Sequence, residues 1–171
     1  DSARARLAFE ERFVFATKIW RRGRTFREST TDVLETSDSL DEKIRSIFPF
    51  QFTPAQDIVV EEVSRDMASG HPMYRLLQGD VGTGKTAVAL YALLVAVRNG
   101  RQGAIMAPTE ILAQQHYATI SRYLSGHPGV KVALLTGAVT APQRREILSE
   151  LAEGGVHIVV GTHALVQESV A

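Results

Sequence analysis

The rhythm of apolar and polar positions changes twice along the chain. Residues 4–20 set Leu7, Phe9, Phe13, Val14 and Ile19 among charged neighbours in a rough helical pattern, closed by Arg21, Arg22 and Arg24. A helix resting on another surface is predicted there. Residues 25–41 are mostly polar with little periodicity, which reads as a connector. Pro49 leads into Phe50-Gln51-Phe52 and then Thr53-Pro54. Threonine ahead of a proline at the first helical position predicts a helix running to about Ala68, stopped by Gly70 and Pro72.

From Arg75 onward, short apolar runs alternate with longer stretches of helical period. Strands are predicted at 75–78, 104–107, 130–135 and 156–160, and helices at 85–98, 111–124 and 142–152. Asn99-Gly100 and Gly154-Gly155 act as helix stops, and Thr140 with Gln143 makes a capping box. The alternation predicts an open α/β fold, a parallel sheet with right-handed crossovers, flanked by helices. Ligands in such folds sit beyond the carboxyl ends of the strands.

Composition narrows the picture only slightly. With 171 residues, 44% hydrophobic and 22% charged, the chain is suited to one compact lobe plus an appendage. Lysine plus arginine balance aspartate plus glutamate at 19 each, so a polyanion must be met by a local patch rather than by the field of the whole chain. The absence of cysteine removes disulfides and thiolate metal sites and fits a reducing compartment. No apolar run reaches the roughly 18 residues of a membrane span, and Asp1-Ser2-Ala3-Arg4 lacks the apolar core of a signal peptide. A cytoplasmic, monomeric protein without a membrane segment is expected.

Gly79-Asp80-Val81-Gly82-Thr83-Gly84-Lys85-Thr86 satisfies the whole pattern G-x-x-x-x-G-K-[ST], with a strand predicted before it and a helix after it. Glycines let such a loop curl until successive backbone N–H groups point at a phosphate, and the helix that follows adds its unpaired donors and its positive end. Lys85 is placed to reach the β- and γ-phosphates of a nucleotide such as ATP, and the Thr86 hydroxyl to ligate Mg2+. The bland alternative, a glycine-rich turn joining strand to helix, demands a coincidence at every fixed position of the motif.

Two further loops are predicted on the same rim. One is Ala107-Pro108-Thr109-Glu110-Ile111-Leu112-Ala113-Gln114-Gln115-His116, and the other Gly161-Thr162-His163-Ala164-Leu165. Threonine hydroxyls and free N–H groups at helix starts suit the phosphates of a nucleic acid strand, and such contacts position a strand without reading its sequence. On residue type alone, helix capping by Thr109 and Thr162 is the commoner role. His71, His127 and His157 lack metal-ligand spacing. Met67, Met73 and Met106 read as core positions, and Arg21, Arg22 and Arg24 fit either DNA contact or a helix C-terminus.

The residues 75–86, 107–116 and 161–165, in that order and spacing, closely resemble the RecG family of superfamily-two bacterial DNA helicases. Arg144-Arg145-Glu146-Ile147-Leu148, Val166-Gln167-Glu168 and Leu7-Ala8-Phe9-Glu10-Glu11 resemble it as well. The resemblance implies a RecA-like P-loop lobe at 48–171 carrying motifs Q, I, Ia and Ib, preceded by a helical segment at 1–24 and a connector at 25–47. It implies a DNA-dependent ATPase that remodels forks and junctions, with Pro108, Thr109, Gly161, Thr162 and His163 turned toward DNA. Phe52-Thr53-Pro54-Ala55-Gln56 is similar to the Q motif, which implies that Gln56 recognises the adenine of ATP. The same Thr53 and Gln56 also fit a capping box, in which glutamine folds back on its own helix. Phe50 or Phe52 is a candidate to stack on the base, against the usual core role of phenylalanine.

Hydrolysis in this class calls for an Asp-Glu pair at a strand end. The pair Asp41-Glu42 stands in the polar connector, and no other Asp-Glu pair occurs in the chain. The expectation is therefore part of a larger motor, binding nucleotide weakly and hydrolysing almost none by itself. A transcription-repair coupling factor or a primosomal helicase shares the cradle and similar loops. A nucleotide-dependent switch and an inactive truncated product also remain open at this point.

Overall fold

The structure is a computed structural model and describes residues 29–166. The helix predicted at 4–20, with Arg21, Arg22 and Arg24, lies outside the described residues.

A first helix, α1, spans Asp38–Arg45, within the stretch expected to be a polar connector. Its first turn carries Asp38 and Asp41 and its last turn Lys43 and Arg45, each sign at the helix end where the dipole favours it. Only a narrow stripe is apolar. Ile44 is fully buried and Leu40 packs on the core, so a single face docks while the rest stays polar.

The second helix, α2, covers Pro54–Met67. Thr53 caps it, and Val60 and Val63 are its buried positions. The third, α3, runs Lys85–Arg98 directly after the glycine loop. It is apolar over most of its length and buries Leu90, Tyr91, Leu94 and Val95. That is the pattern of a helix enclosed on several sides.

Three parallel strands follow: β1 Gly103–Met106, β2 Val132–Leu135 and β3 Ile158–Gly161, ordered β1-β3-β2. The central strand β3 is buried at all four positions because it has a neighbour on either side. Ile158 and Val160 join the main core with α2, α3 and a fourth helix, α4, at Glu110–Leu124. A fifth helix, α5, spans Ala141–Ala152 and packs on β2. At its start the Thr140 N–H and hydroxyl both donate to Gln143 Oε1, at 3.3 and 2.7 Å.

One predicted strand does not form. Residues 75–78 carry no regular secondary structure and gain no ladder partner among the described residues. Tyr74 and Leu76 are 82% and 81% exposed. The apolar run is there in the sequence, but strand identity also requires a neighbour to bond with. Leu77 still packs against the core, and Arg75 is tied by its side chain to Asp66 at 2.7 Å and to Glu62.

The segment before α1 is stitched to the lobe. Thr31 N–H donates to the Gly70 carbonyl at 2.9 Å and Leu34 N–H to the Met67 carbonyl at 3.2 Å, both at the end of α2. The Asn99 side chain, just after α3, accepts from Glu35 N–H at 2.7 Å and donates to the Glu35 carbonyl at 3.1 Å. A carboxamide here stands in for a strand neighbour. Arg101 completes the attachment with an ion pair to Asp32.

Candidate nucleotide-binding site

The loop 79–84 is built on backbone conformations that only glycine adopts readily: Gly82 and Gly84 have φ of 85° and 79°. A Cβ at Gly79 would lie 2.8 Å from Thr83 Oγ1, and one at Gly84 would lie 2.3 Å from Gln56 Nε2, so either substitution would displace the Thr83 or Gln56 side chain from its present bonds. The loop is tightened from within. Thr83 Oγ1 donates to the Asp80 carbonyl at 2.8 Å, and Lys85 Nζ donates to the carbonyls of Gly79 and Asp80, each at 2.6 Å. The ammonium thus lies in the curl of the loop, bonded to acceptors that an incoming phosphate oxygen would replace. Ala87 N–H in the first turn of α3 donates to the Gly84 carbonyl at 2.9 Å, while Lys85 and Thr86, at the first two helical positions, have no carbonyl a turn earlier within the helix to bond, so their N–H groups point toward the same place. Thr86, in that turn, is half-buried. Val81 at the tip is fully exposed.

These residues fit a nucleoside triphosphate with Mg2+. Glycines keep the curl open to the backbone, a lysine is already inside it, and Thr86 offers a hard oxygen of the kind magnesium prefers. Together the residues 79–86, predicted from their pattern, are gathered into one loop.

Gln56 reaches the same loop. Its Oε1 accepts from Thr53 N–H at 2.9 Å, Thr53 Oγ1 accepts from Gln56 N–H at 3.3 Å, and its Nε2 donates to the Thr83 carbonyl at 2.9 Å. The capping role and contact with the phosphate loop therefore coexist, one on each end of the carboxamide.

Behind Gln56 stands a polar network that the sequence pattern did not single out. Arg45 Nε donates to Asp41 Oδ2 and its NH1 to Asp57 Oδ1, both at 2.6 Å, while its guanidinium lies 5.2 Å from the centre of the Phe52 ring. Burial lowers the Arg45 pKa, but bonds to Asp57 and Asp41 outweigh it and the net shift is upward. Tyr91 donates to Asp41 Oδ1 at 2.6 Å. Burial first, then that bond, pushes the Tyr91 phenol up to about 12. Only the spacing of Asp41 and Arg45, four residues apart on a helix, hinted at any of this. The other bonds join segments distant in sequence.

The rim loops divide. At the end of β1, Pro108 and Thr109 are exposed, and Thr109 Oγ1 caps α4 by accepting from Leu112 N–H at 3.3 Å. At the end of β3, Gly161 and Thr162 are buried, Thr162 only 4% exposed, while His163 is exposed. Gly161 is hemmed in by backbone, since a Cβ there would lie 2.1 Å from the Leu135 carbonyl oxygen. Thr136 at the end of β2 is also buried, with Oγ1 accepting from Ala138 N–H at 3.3 Å, and puts on the rim a third threonine that no sequence motif marks. Registers Met106↔Gly161 and Leu135↔Gly161 bring all three loops side by side.

A glycine-curled phosphate loop leading into a helix, beside a parallel sheet, defines a P-loop nucleotide-binding domain. The family model for DEAD/DEAH box helicases matches residues 53–170, and the chain belongs to that family. It is 39% identical over 170 residues to the ATP-dependent DNA helicase RecG of Aquifex aeolicus, covering 99% of this chain and 21% of that protein. With RecG of Bacillus subtilis the identity is 45%, over 98% of this chain and 25% of that protein. A solved structure of RecG bound to a three-way DNA junction matches at TM-score 0.81 and 42% identity, over 97% of this chain and 23% of that one. The fold is thus a RecA-like helicase lobe, and the chain spans about a fifth to a quarter of these relatives.

Proposed function

We propose that this chain supplies the nucleotide-binding part of an ATP-driven DNA helicase acting on branched DNA, such as forks and Holliday junctions. The observation that carries the reading is the phosphate loop, with Lys85 held inside it and Thr86 on the first turn of α3. The names of these relatives, all RecG, and the junction in the solved RecG complex support the choice of substrate.

In this reading Gly79 to Thr86 hold the phosphates, Lys85 offsets their charge and Thr86 ligates Mg2+. Bound magnesium would supply charge neutralisation at the phosphates. Residues 48–171 form the motor part and 25–47 lead into it; the segment 1–24, expected to be helical, lies outside the described residues. Pro108, Thr109 and His163 face DNA from the rim with their exposed groups, and buried Gly161 and Thr162 shape the loop and offer backbone donors. Gln56 is reserved for adenine in the family-based reading, although its carboxamide is already engaged at the cap and the loop. The protein works in the cytoplasm as a monomer.

The test is steady-state ATP turnover by the full-length protein with forked DNA. Turnover that depends on the fork and vanishes in Lys85→Ala supports the reading; nucleotide affinity indifferent to DNA, with no turnover, favours a switch instead.

A further inference from the structure

Asn99 is the sole asparagine of the chain, and Gly100 follows it. In an Asn-Gly pair the backbone nitrogen of the glycine can attack the carboxamide carbon of the asparagine, because no side chain on the glycine obstructs the approach. The bond from the glycine nitrogen to Cγ forms, the Cγ–Nδ2 bond breaks, the amide proton leaves with Nδ2 as ammonia, and a cyclic succinimide remains. Water then opens the ring at either carbonyl to give aspartate or isoaspartate. No other reagent is needed.

The pair stands where the chain turns at the end of α3, and Gly100 is exposed with φ of 72°. Both reacting groups are tied. Asn99 Oδ1 accepts from Glu35 N–H at 2.7 Å, and Nδ2 donates both its hydrogens, to the Glu35 carbonyl at 3.1 Å and to the Val95 carbonyl at 2.8 Å. Gly100 N–H donates to the Val97 carbonyl at 3.0 Å. The carboxamide therefore cannot turn onto the Gly100 nitrogen without letting go of Glu35. Glu35 in turn is kept in place by its neighbours. Leu34 N–H bonds the Met67 carbonyl and its side chain packs on the core, while Asp32 pairs with Arg101.

We propose that Asn99 is a site of spontaneous deamidation that the docked segment 31–35 protects, and that the modification, once made, stops this segment from docking again. The carboxylate that replaces the carboxamide has acceptors only. Where Nδ2 donated, it presents a negative charge to the carbonyl oxygens of Glu35 and Val95. Acceptor facing acceptor leaves those groups unpaired, which costs more than the bonds that were lost. Isoaspartate also adds a carbon to the backbone at the turn. Every opening of the segment thus exposes Asn99 to a reaction that does not reverse.

The experiment incubates the full-length protein at mildly alkaline pH in heavy-oxygen water and follows the Asn99 peptide by mass spectrometry. Native wild type should deamidate about a hundredfold more slowly than the same protein in urea, since the hydrogen bonds on Asn99 and Gly100 contribute about threefold each. Leu34→Ala, which weakens the apolar anchor without touching Asn99, should raise the native rate by about fivefold to tenfold. Asp32→Ala, which removes an exposed ion pair only, should raise it by about twofold and carries the same test if Leu34→Ala does not fold. Asn99→Asp should open residues 29–36 to limited proteolysis under conditions in which the wild type resists. A native rate equal to the rate in urea overturns the proposal, as does a folded Leu34→Ala or Asp32→Ala protein that deamidates no faster than wild type. Resistance to proteolysis that persists in Asn99→Asp overturns the loss of docking.

Discussion

Tyr91 gives the most demanding test of how α1 is held to the lobe. It is 2% exposed in the middle of α3, donates to Asp41 Oδ1 at 2.6 Å, and receives a hydrogen bond from Ser64 Oγ at 3.4 Å. Tyr91→Phe removes the hydroxyl and leaves the ring. A hydrogen bond to a charged group contributes about 1.5–3 kcal/mol. Asp41 keeps its bond to Arg45 and is 32% exposed, so water can take the vacated position and the lower end, about 1.5 kcal/mol, is expected. Proton linkage adds a second signature. Burial, then the bond to Asp41, raises the Tyr91 pKa from 10.0 to about 12, with Ser64 and the positive charge of Arg45 pulling the other way. The folded value exceeds the unfolded one, so the stability from this group is complete below pH 10 and is lost as pH climbs from 10 to 12. At about pH 11 the loss reaches about 1.4 kcal/mol. Urea unfolding of wild type and Tyr91→Phe, followed by circular dichroism at about pH 8 and pH 11, should show a gap of about 1.5 kcal/mol that nearly closes at the higher pH. A gap of equal size at both values would refute the argument.

Other outcomes follow from the site and the sheet. Gly161→Ala forces a methyl group against the Leu135 carbonyl and should cost about 3 kcal/mol or leave the protein insoluble, read from its unfolding midpoint. Gln56→Ala removes the glutamine half of a capping box and the brace on Thr83, so about 1 kcal/mol of stability and some ATP affinity should be lost together, by urea unfolding and nucleotide titration. Lys85→Ala should abolish turnover in the full-length protein and leave its unfolding midpoint within a few degrees of wild type. DNA binding through backbone phosphates should weaken steeply between low and high salt and stay indifferent to sequence; an affinity flat in salt would remove the rim threonines from the DNA contact.

What the sequence disclosed was chiefly local. The loop 79–86 is read from one contiguous motif, and α3 begins at Lys85 and ends at Arg98 as its apolar run requires. Thr53 and Gln56 are three residues apart, so their reciprocal cap is legible in the sequence itself. The errors are of a different kind. Residues 75–78 have a strand's composition, yet a strand is a relation between segments, and no ladder partner stands beside them among the described residues. The helix α1 was hidden because one buried Ile44 and a half-buried Leu40 are too faint a stripe to outweigh the polar run around them. Arg45 and Asp57 meet across 12 residues, and Tyr91 and Asp41 across 50, separations that no periodicity records.

The stitching of residues 31–35 has a mechanical meaning. A polar linker of ordinary composition would hang slack and absorb a pull. Here Thr31, Asp32, Leu34 and Glu35 are each fastened to the far ends of α2 and α3, the helices whose near ends hold Gln56 and Lys85. A pull on residues 31–35 would therefore be carried to two rods whose other ends stand at the phosphate loop. Residues 31–35 belong mechanically to the lobe, and a displacement of one cannot be absorbed without the other.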